Sequence, residues 1–308
     1  ALDANGFTVE EAVDLSKVTI ESYVPPTALV KSSMKGTYAD GKITADKDRS
    51  PSAGAFMAKM GELTGLMRGR VLVDLPLQQD FESFELNQVT GPGPGGAPVT
   101  DETDPASGKT AAPVQPGPTN WNVVEPPTPF SYPPLPWNSA RFKFEIRKAP
   151  GEGENKGLVK TIDNKRFQRG MVFIGHPEET NYTIEADVLT EGNRRKMSEI
   201  GLINQRYLIA IKGNAQQIEV SSNQELLRHS VPFKCQPNTW YRLKARVDVN
   251  PDGSGVVRAK AWKKGEPEPE AWNIEVPDKN VNKHGSPGIY SLTPQEQRAW
   301  IDNISVVA

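Results

Sequence analysis

The sequence has one cysteine, three histidines and no apolar run long enough to cross a bilayer as a helix. A single cysteine excludes an intramolecular disulfide, and His176, His229 and His284 are too scattered along the chain to suggest a zinc site. Cohesion must then come from an apolar core and from backbone pairing. Cys235, in VPFKCQPNTW, is expected to be a small buried residue and not a nucleophile. A spanning helix needs about 18 or more consecutive apolar residues, so none is expected. The chain opens on Ala with no basic-then-apolar leader, which suggests a processed form or the C-terminal piece of a longer protein.

What is present is β-sheet patterning. The 308 residues, 24% charged and 36% hydrophobic, suit a globular protein of two domains. Residues 1–75 contain KVTIESYV, GKITADK, GAFMAKM and GRVLVDL between Pro, Gly and Asp turns, the spacing of a small Ig-like β-sandwich. A second domain, 76–308, is introduced by DLPLQQDFESFEL, read as a strand. From Arg141 onward it runs strand after strand, with turns every ten to fifteen residues. This predicts an antiparallel jelly roll or sandwich and excludes an α/β fold.

Between Gln88 and Ala140 lie thirteen of the twenty-seven prolines. Composition alone makes this a linker or a polyproline-like arm. Its apolar residues Trp121, Phe130, Tyr132, Leu135 and Trp137 are anchors that a free linker would not need, so the arm is expected to lie against its own domain or a neighbouring subunit.

Charge is unevenly placed. Residues 1–75 carry −1, residues 76–140 carry −6 and residues 141–308 carry +5. In the last region, Arg242, Lys244 and Arg246 alternate with Leu243, Ala245 and Val247. Past a Pro-Asp-Gly-Ser-Gly turn, Arg258 and Lys260 alternate with Val257, Ala259 and Ala261. Period-two alternation puts all five cations on one sheet face. Such a face is either a binding surface or half of an internal charge match. Glu185, Asp187 and Glu219 are the expected partners if their strands are neighbours. The acidic arm, from the same chain or another copy, is a further candidate.

VPPTALVKSSMKGTY, RGRVLVDLPLQQDFESFEL, YPPLPWNSARFKFEIRK, TIDNKRFQRGMVFIG, WYRLKARVDV and GSPGIYSLTPQEQRAWIDNISV together resemble the C-terminal region of planctomycete-type secreted proteins called PQQ-binding-like β-propeller repeat proteins. The resemblance covers nearly the whole chain outside the Pro-rich arm. It implies an Ig-like segment followed by a concanavalin- or laminin-G-like jelly roll, and an extracytoplasmic location. The propeller of that family has no counterpart here, so no quinone cofactor is expected.

Jelly rolls also host glucanases, in which a retaining mechanism needs two carboxylates about 5 Å apart. Laminarinase-like families supply them as Glu-x-Asp-x-Glu or a bulged form. Here IEADVLTE offers Glu185 and Asp187, but Leu189 and Thr190 stand where the third carboxylate belongs. Sugar binding without catalysis would draw on Asn204, Arg242, Arg246, Trp262 and Trp272. Nucleic acid fits poorly with interspersed carboxylates and a net charge of −2. No cofactor is expected, apart from a structural calcium conceivable between Asp80 or Glu82 and Asp302. The favoured reading is a non-enzymatic structural or interaction protein, a subunit of a homo-oligomer or larger assembly. A carbohydrate-binding module is the alternative and a glucanase-like hydrolase the third.

Overall fold

The structure, a computed structural model, describes residues 14–89, 103–104, 109–110, 128–160 and 168–308, apart from 27, 29, 40, 41, 49, 142, 194, 224, 225, 295 and 296. The architecture is all-β; the one helical piece among the described residues is the 3-10 turn Leu15–Lys17. The chain forms two compact units, Ala1–Leu72 and Val73–Ala308.

The first unit holds β1 (Thr19–Tyr23), β2 (Gly36–Ala39), β3 (Lys42–Ala45), β4 (Ser52–Met60) and β5 (Leu63–Val71). They make a three-stranded antiparallel sheet in the order β1-β4-β5 and a β2–β3 hairpin. Gly54 of β4 is packed so closely by the backbone of Ser33 and Met34 that a Cβ would lie 2.2 Å from the Met34 nitrogen. Only glycine fits such an approach.

The second unit begins with β6 (Leu77–Gln79), β7 (Gln88–Val89), β8 (Thr103–Asp104), β9 (Lys109–Thr110) and β10 (Pro129–Phe130). Next come β11 (Phe144–Lys148), β12 (Lys156–Lys160), β13 (Arg169–Phe173), β14 (Thr183–Thr190), β15 (Gly192–Asn193) and β16 (Lys196–Met197). They are followed by β17 (Glu199–Asn204), β18 (Tyr207–Lys212), β19 (Gln217–Ser222) and β20 (Leu227–Pro232). The last are β21 (Trp240–Val249), β22 (Gly255–Lys263), β23 (Ile274–Asp278), β24 (Gly288–Leu292) and β25 (Ala299–Val307). Two large antiparallel sheets result, beside the two-stranded pairs β7–β10, β8–β9 and β15–β16. The larger runs β11-β12-β25-β14-β21-β22-β23, with β6 also pairing β25, and the smaller runs β13-β24-β17-β18-β19-β20.

Strict alternation builds the core between the sheets. Ile184, Ala186 and Val188 of β14, Leu243, Ala245 and Val247 of β21, and Val257, Ala259 and Ala261 of β22 point inward and are buried. Ile200, Leu202, Ile209, Ile211, Ile218 and Ile289 meet them from the smaller sheet. Each such side chain contributes roughly 1.5–3 kcal/mol when fully removed from water. The intervening residues of β14, β21 and β22 form the outer face of the larger sheet.

Asp74–Leu86 is not one strand as expected. Only Leu77–Gln79 pairs, and Phe81 turns the chain with a φ of 62° while its ring is fully buried. The Pro-rich region divides. Trp121 lies outside the described residues. From residue 128 on, the chain laces one edge of the sandwich: Ser131 exchanges backbone bonds with Ile146 of β11, and Asn138 with Phe173 of β13. These are the edge strands of the two sheets. Phe130 is fully buried, edge-on to Tyr132 at 5.3 Å, and Trp137 lies edge-on to Phe81 at 5.9 Å. Phe130, Tyr132 and Trp137, expected as an interaction arm, therefore pack within their own unit.

Candidate functional site on the outer face of the larger sheet

All five cations that β21 and β22 place on this face have carboxylate partners in the same chain. Arg242 binds Glu185 at 3.0 Å and Asp187 at 3.1 Å, and donates to the Asn303 carbonyl at 2.7 Å. Lys244 lies 3.5 Å from Glu185 and 2.9 Å from Glu268. Arg246 pairs with Asp248 at 2.7 Å and donates to the Thr183 hydroxyl at 3.0 Å. Arg258 pairs with Asp248 and with Glu275 at 2.8 Å, and Lys260 with Glu268 at 2.7 Å. Register explains the first set, because Glu185 stands opposite Lys244 and Asp187 opposite Arg242. Glu219 is the exception to the expected match. It sits on the smaller sheet with Lys212 at 3.4 Å and Arg228 at 3.2 Å.

Glu268 belongs to the connection between β22 and β23, Lys264–Asn273, which folds back over the cations. Its carboxylate bridges Lys244 and Lys260, and Lys260 also donates to the Pro269 carbonyl at 2.7 Å. The Lys260 bond, joined by that of Lys244 and opposed by partial burial, holds the Glu268 carboxyl below the ordinary glutamate value. Sequence reading missed this residue. The signal was the Glu-Pro-Glu-Pro run immediately after the cationic strand.

Beside this bridge stand two half-buried indoles. Trp262 faces outward on β22, opposite Arg242 in register. Trp272 closes the loop, with the Lys260 ammonium 4.8 Å from its ring centre. Lys260 and Trp262 are two residues apart on one strand face, a spacing of about 7 Å. The other two tryptophans of the face, Trp240 and Trp300, are buried in a small cluster with Ala149, Val159 and Leu189. Their indole N–H groups donate to the Pro150 carbonyl at 3.3 Å and to Glu191 at 2.8 Å.

Next to Arg242 is a pair of buried carboxylates. Opposite the Glu185–Asp187 irregularity in pairing, Asn303 of β25 takes a left-handed φ of 48°. Its amide donates to Asp187 at 2.9 Å and to Asp302 at 3.0 Å. Asn155 donates to Asp302 at 2.8 Å, while Lys264 reaches Asp187 at 3.4 Å and Glu152 at 2.9 Å. Burial, with the Asp187 charge adding to it, outweighs these bonds and pushes the Asp302 carboxyl up to about 6. Burial works against the Lys264 charge, yet Glu152 and Asp187 leave its pKa above the ordinary lysine value.

Other expected site residues lie elsewhere. Asn204 is fully buried between the sheets and donates to the Tyr182 and Ala245 carbonyls, so it is closed to a ligand. The proposed calcium ligands are not brought together. Asp80 caps the Glu82 N–H at 3.1 Å, Glu82 accepts from the Lys156 N–H at 2.8 Å, and Asp302 makes the separate contacts above. Among the described residues no group of three or more His, Cys, Asp or Glu is placed to hold a metal ion. Cys235 is buried, and that burial raises its thiol pKa despite a 3.3 Å bond from Gln216.

No family model matches this chain, and no curated protein matches it. Among solved structures it is similar to the carbohydrate-binding module CBM66 from Bacillus subtilis (14% identity, 49% of this chain and 86% of that one, TM-score 0.36). It is similar also to the PL-14 alginate lyase from Aplysia kurodai (12% identity, 53% and 87%, TM-score 0.39). A third is the Ca2+-bound exoplasmic/lumenal domain of VIP36 (12% identity, 56% and 84%, TM-score 0.37). Likenesses of this size carry no argument about what this chain binds.

Proposed function

We propose that the second unit is a non-catalytic carbohydrate-binding module whose sugar platform is Trp262 and Trp272. The observation that carries this reading is the placement of two half-buried indoles on a strand face and its covering loop, among hydrogen-bonding side chains fixed by ion pairs. An indole presents a large flat apolar surface to a sugar ring, and the ionic ladder holds the neighbouring polar groups in place before a ligand arrives. The non-catalytic part rests on Glu185 and Asp187. Both are tied to one guanidinium, whereas retaining hydrolysis needs one carboxyl kept protonated and the other free to attack. An extracytoplasmic location, and correspondence to the region that follows the propeller in the planctomycete family, belong to the same proposal.

Binding of soluble and insoluble polysaccharides, followed by calorimetry and by intrinsic fluorescence, tests it. Trp262→Ala and Trp272→Ala should each weaken binding about tenfold or more while leaving the melting temperature within a few degrees. Retention of wild-type affinity by both variants would end the assignment of the platform.

Protein association is a second reading, favoured by β5 of the first unit. This edge strand exposes Leu63, Leu66 and Met67, and exposed apolar edges are templates for pairing with another chain. Light scattering of the wild type against Leu66→Lys checks it: a mass above that of one chain, reduced by the charge, supports association through β5.

A further inference from the structure

Glu268 has the geometry of a tethered ligand. Its carboxylate bridges two ammonium groups, Lys244 at 2.9 Å and Lys260 at 2.7 Å, immediately beside the indole of Trp272. The site that receives it is built into the fold: Lys260 is only 7% exposed, its stem held on β22 and its head also bonded to the Pro269 carbonyl. Glu268 itself is 42% exposed, on a loop outside the sheet. One partner is fixed and covered; the other is open to solvent. A planar carboxylate against two cations, flanked by an aromatic face, is also what a uronic acid residue presents when its ring stacks on an indole.

We propose that Lys244 and Lys260 form the carboxylate subsite of an acidic polysaccharide, a polyuronate, and that Glu268 occupies this subsite as an internal competitor until the polymer displaces it. The inference rests on the carbohydrate-binding reading above and narrows it to anionic glycans. Displacement leaves Glu268 free to hydrate, and each ammonium keeps a carboxylate partner. Chain entropy favours the tethered group, so an incoming polymer competes best when several sugars bind at once.

The test is titration of the full chain with polyglucuronate, a neutral β-1,3-glucan and a sulfated galactan, at low and at 0.5 M salt. Wild type, Glu268→Gln and Lys244→Gln are compared, with melting curves confirming that each variant is folded. Glu268→Gln removes the competitor's charge and should tighten polyglucuronate binding about three- to tenfold, the scale of a partly exposed ion pair. Lys244→Gln should weaken it, and salt should weaken it in all three proteins. Polyglucuronate binding that is unchanged or weaker in Glu268→Gln would overturn the proposal. Neutral glucan bound as tightly as polyglucuronate would overturn it too, while leaving the tryptophan platform standing. Equal binding of the sulfated polymer would show that the site reads charge alone, against a carboxylate subsite. Binding of no polysaccharide would remove both readings together.

Discussion

Asp302 has no exposed surface, and its charged form faces Asp187 of β14 across the Asn303 amide. Arg242 of β21, Lys264 beyond β22 and Glu152 of the β11–β12 turn complete the charged surroundings. A carboxyl raised from 3.8 to about 6 holds its proton more tightly in the folded than in the unfolded chain. The folded state therefore gains stability from Asp302 below pH 4, and that gain is lost as pH rises through 6. At 1.36 kcal/mol per pH unit, less some relief by hydration, the loss is about 2 kcal/mol, or about 4–8 °C for a unit of this size. The melting temperature of wild type minus that of Asp302→Asn should accordingly fall by this amount between pH 4 and pH 7.5. A difference that stays flat would mean that Asp302 is ionised throughout. Sequence shows Asp302 and Asn303 side by side, but neither the left-handed turn at Asn303 nor the approach of Asn155 from the β11–β12 turn. A calcium ligand was conceivable there on sequence, and a hydrogen-bonded acid is found.

At the scale of elements, the Pro-rich segment beyond residue 128 solves an edge problem. The edge strands β11 and β13 would otherwise leave unpaired backbone groups, and short antiparallel bridges from Ser131 and Asn138 satisfy some of them. Proline suits this role because it has little freedom to lose on ordering. The lacing depends on its anchors, so Trp137→Ala, which empties the space against Phe81, should cost roughly 3–5 kcal/mol. Denaturant unfolding measures this, and a loss under 1 kcal/mol would show that the segment is dispensable. The strands themselves were legible, since Leu243, Ala245 and Val247 alternate strictly with Arg242, Lys244 and Arg246. The covering loop was not. Periodicity reports which face a residue occupies, whereas the return of Lys264–Asn273 over that face depends on contacts with no sequence period.

For the whole molecule, the acidic middle and basic end of the sequence suggested a match between segments or between copies. Among the described residues, the five outward cations of β21 and β22 find their carboxylates on β14, β21, β23 and the β22–β23 loop instead. Assembly through that face would have to break these pairs first. The mass of the protein in solution should therefore be the same at 0.05 and 0.5 M salt by light scattering. A species that dissociates as salt rises would show that the face is shared between copies. The charge alternation was readable from the sequence, but the identity of the partners was only half so: Glu185 and Asp187 lie in register, while Glu219 belongs to the opposite sheet.

The position of β25 bears on how the chain matures. It lies between β12 and β14 and also receives β6, so it joins parts of the larger sheet that are otherwise separate. It also comes after every other strand of this sheet in chain order. Until it arrives, β11 and β12 have no partner linking them to β14, β21, β22 and β23, and apolar edges stay open on both sides of the gap. A growing chain can form hairpins early but cannot close the sandwich before residue 307 is free. Completion therefore waits on non-local pairing, the slow kind in folding, and a chaperone that shields open edges would act on this protein up to that moment.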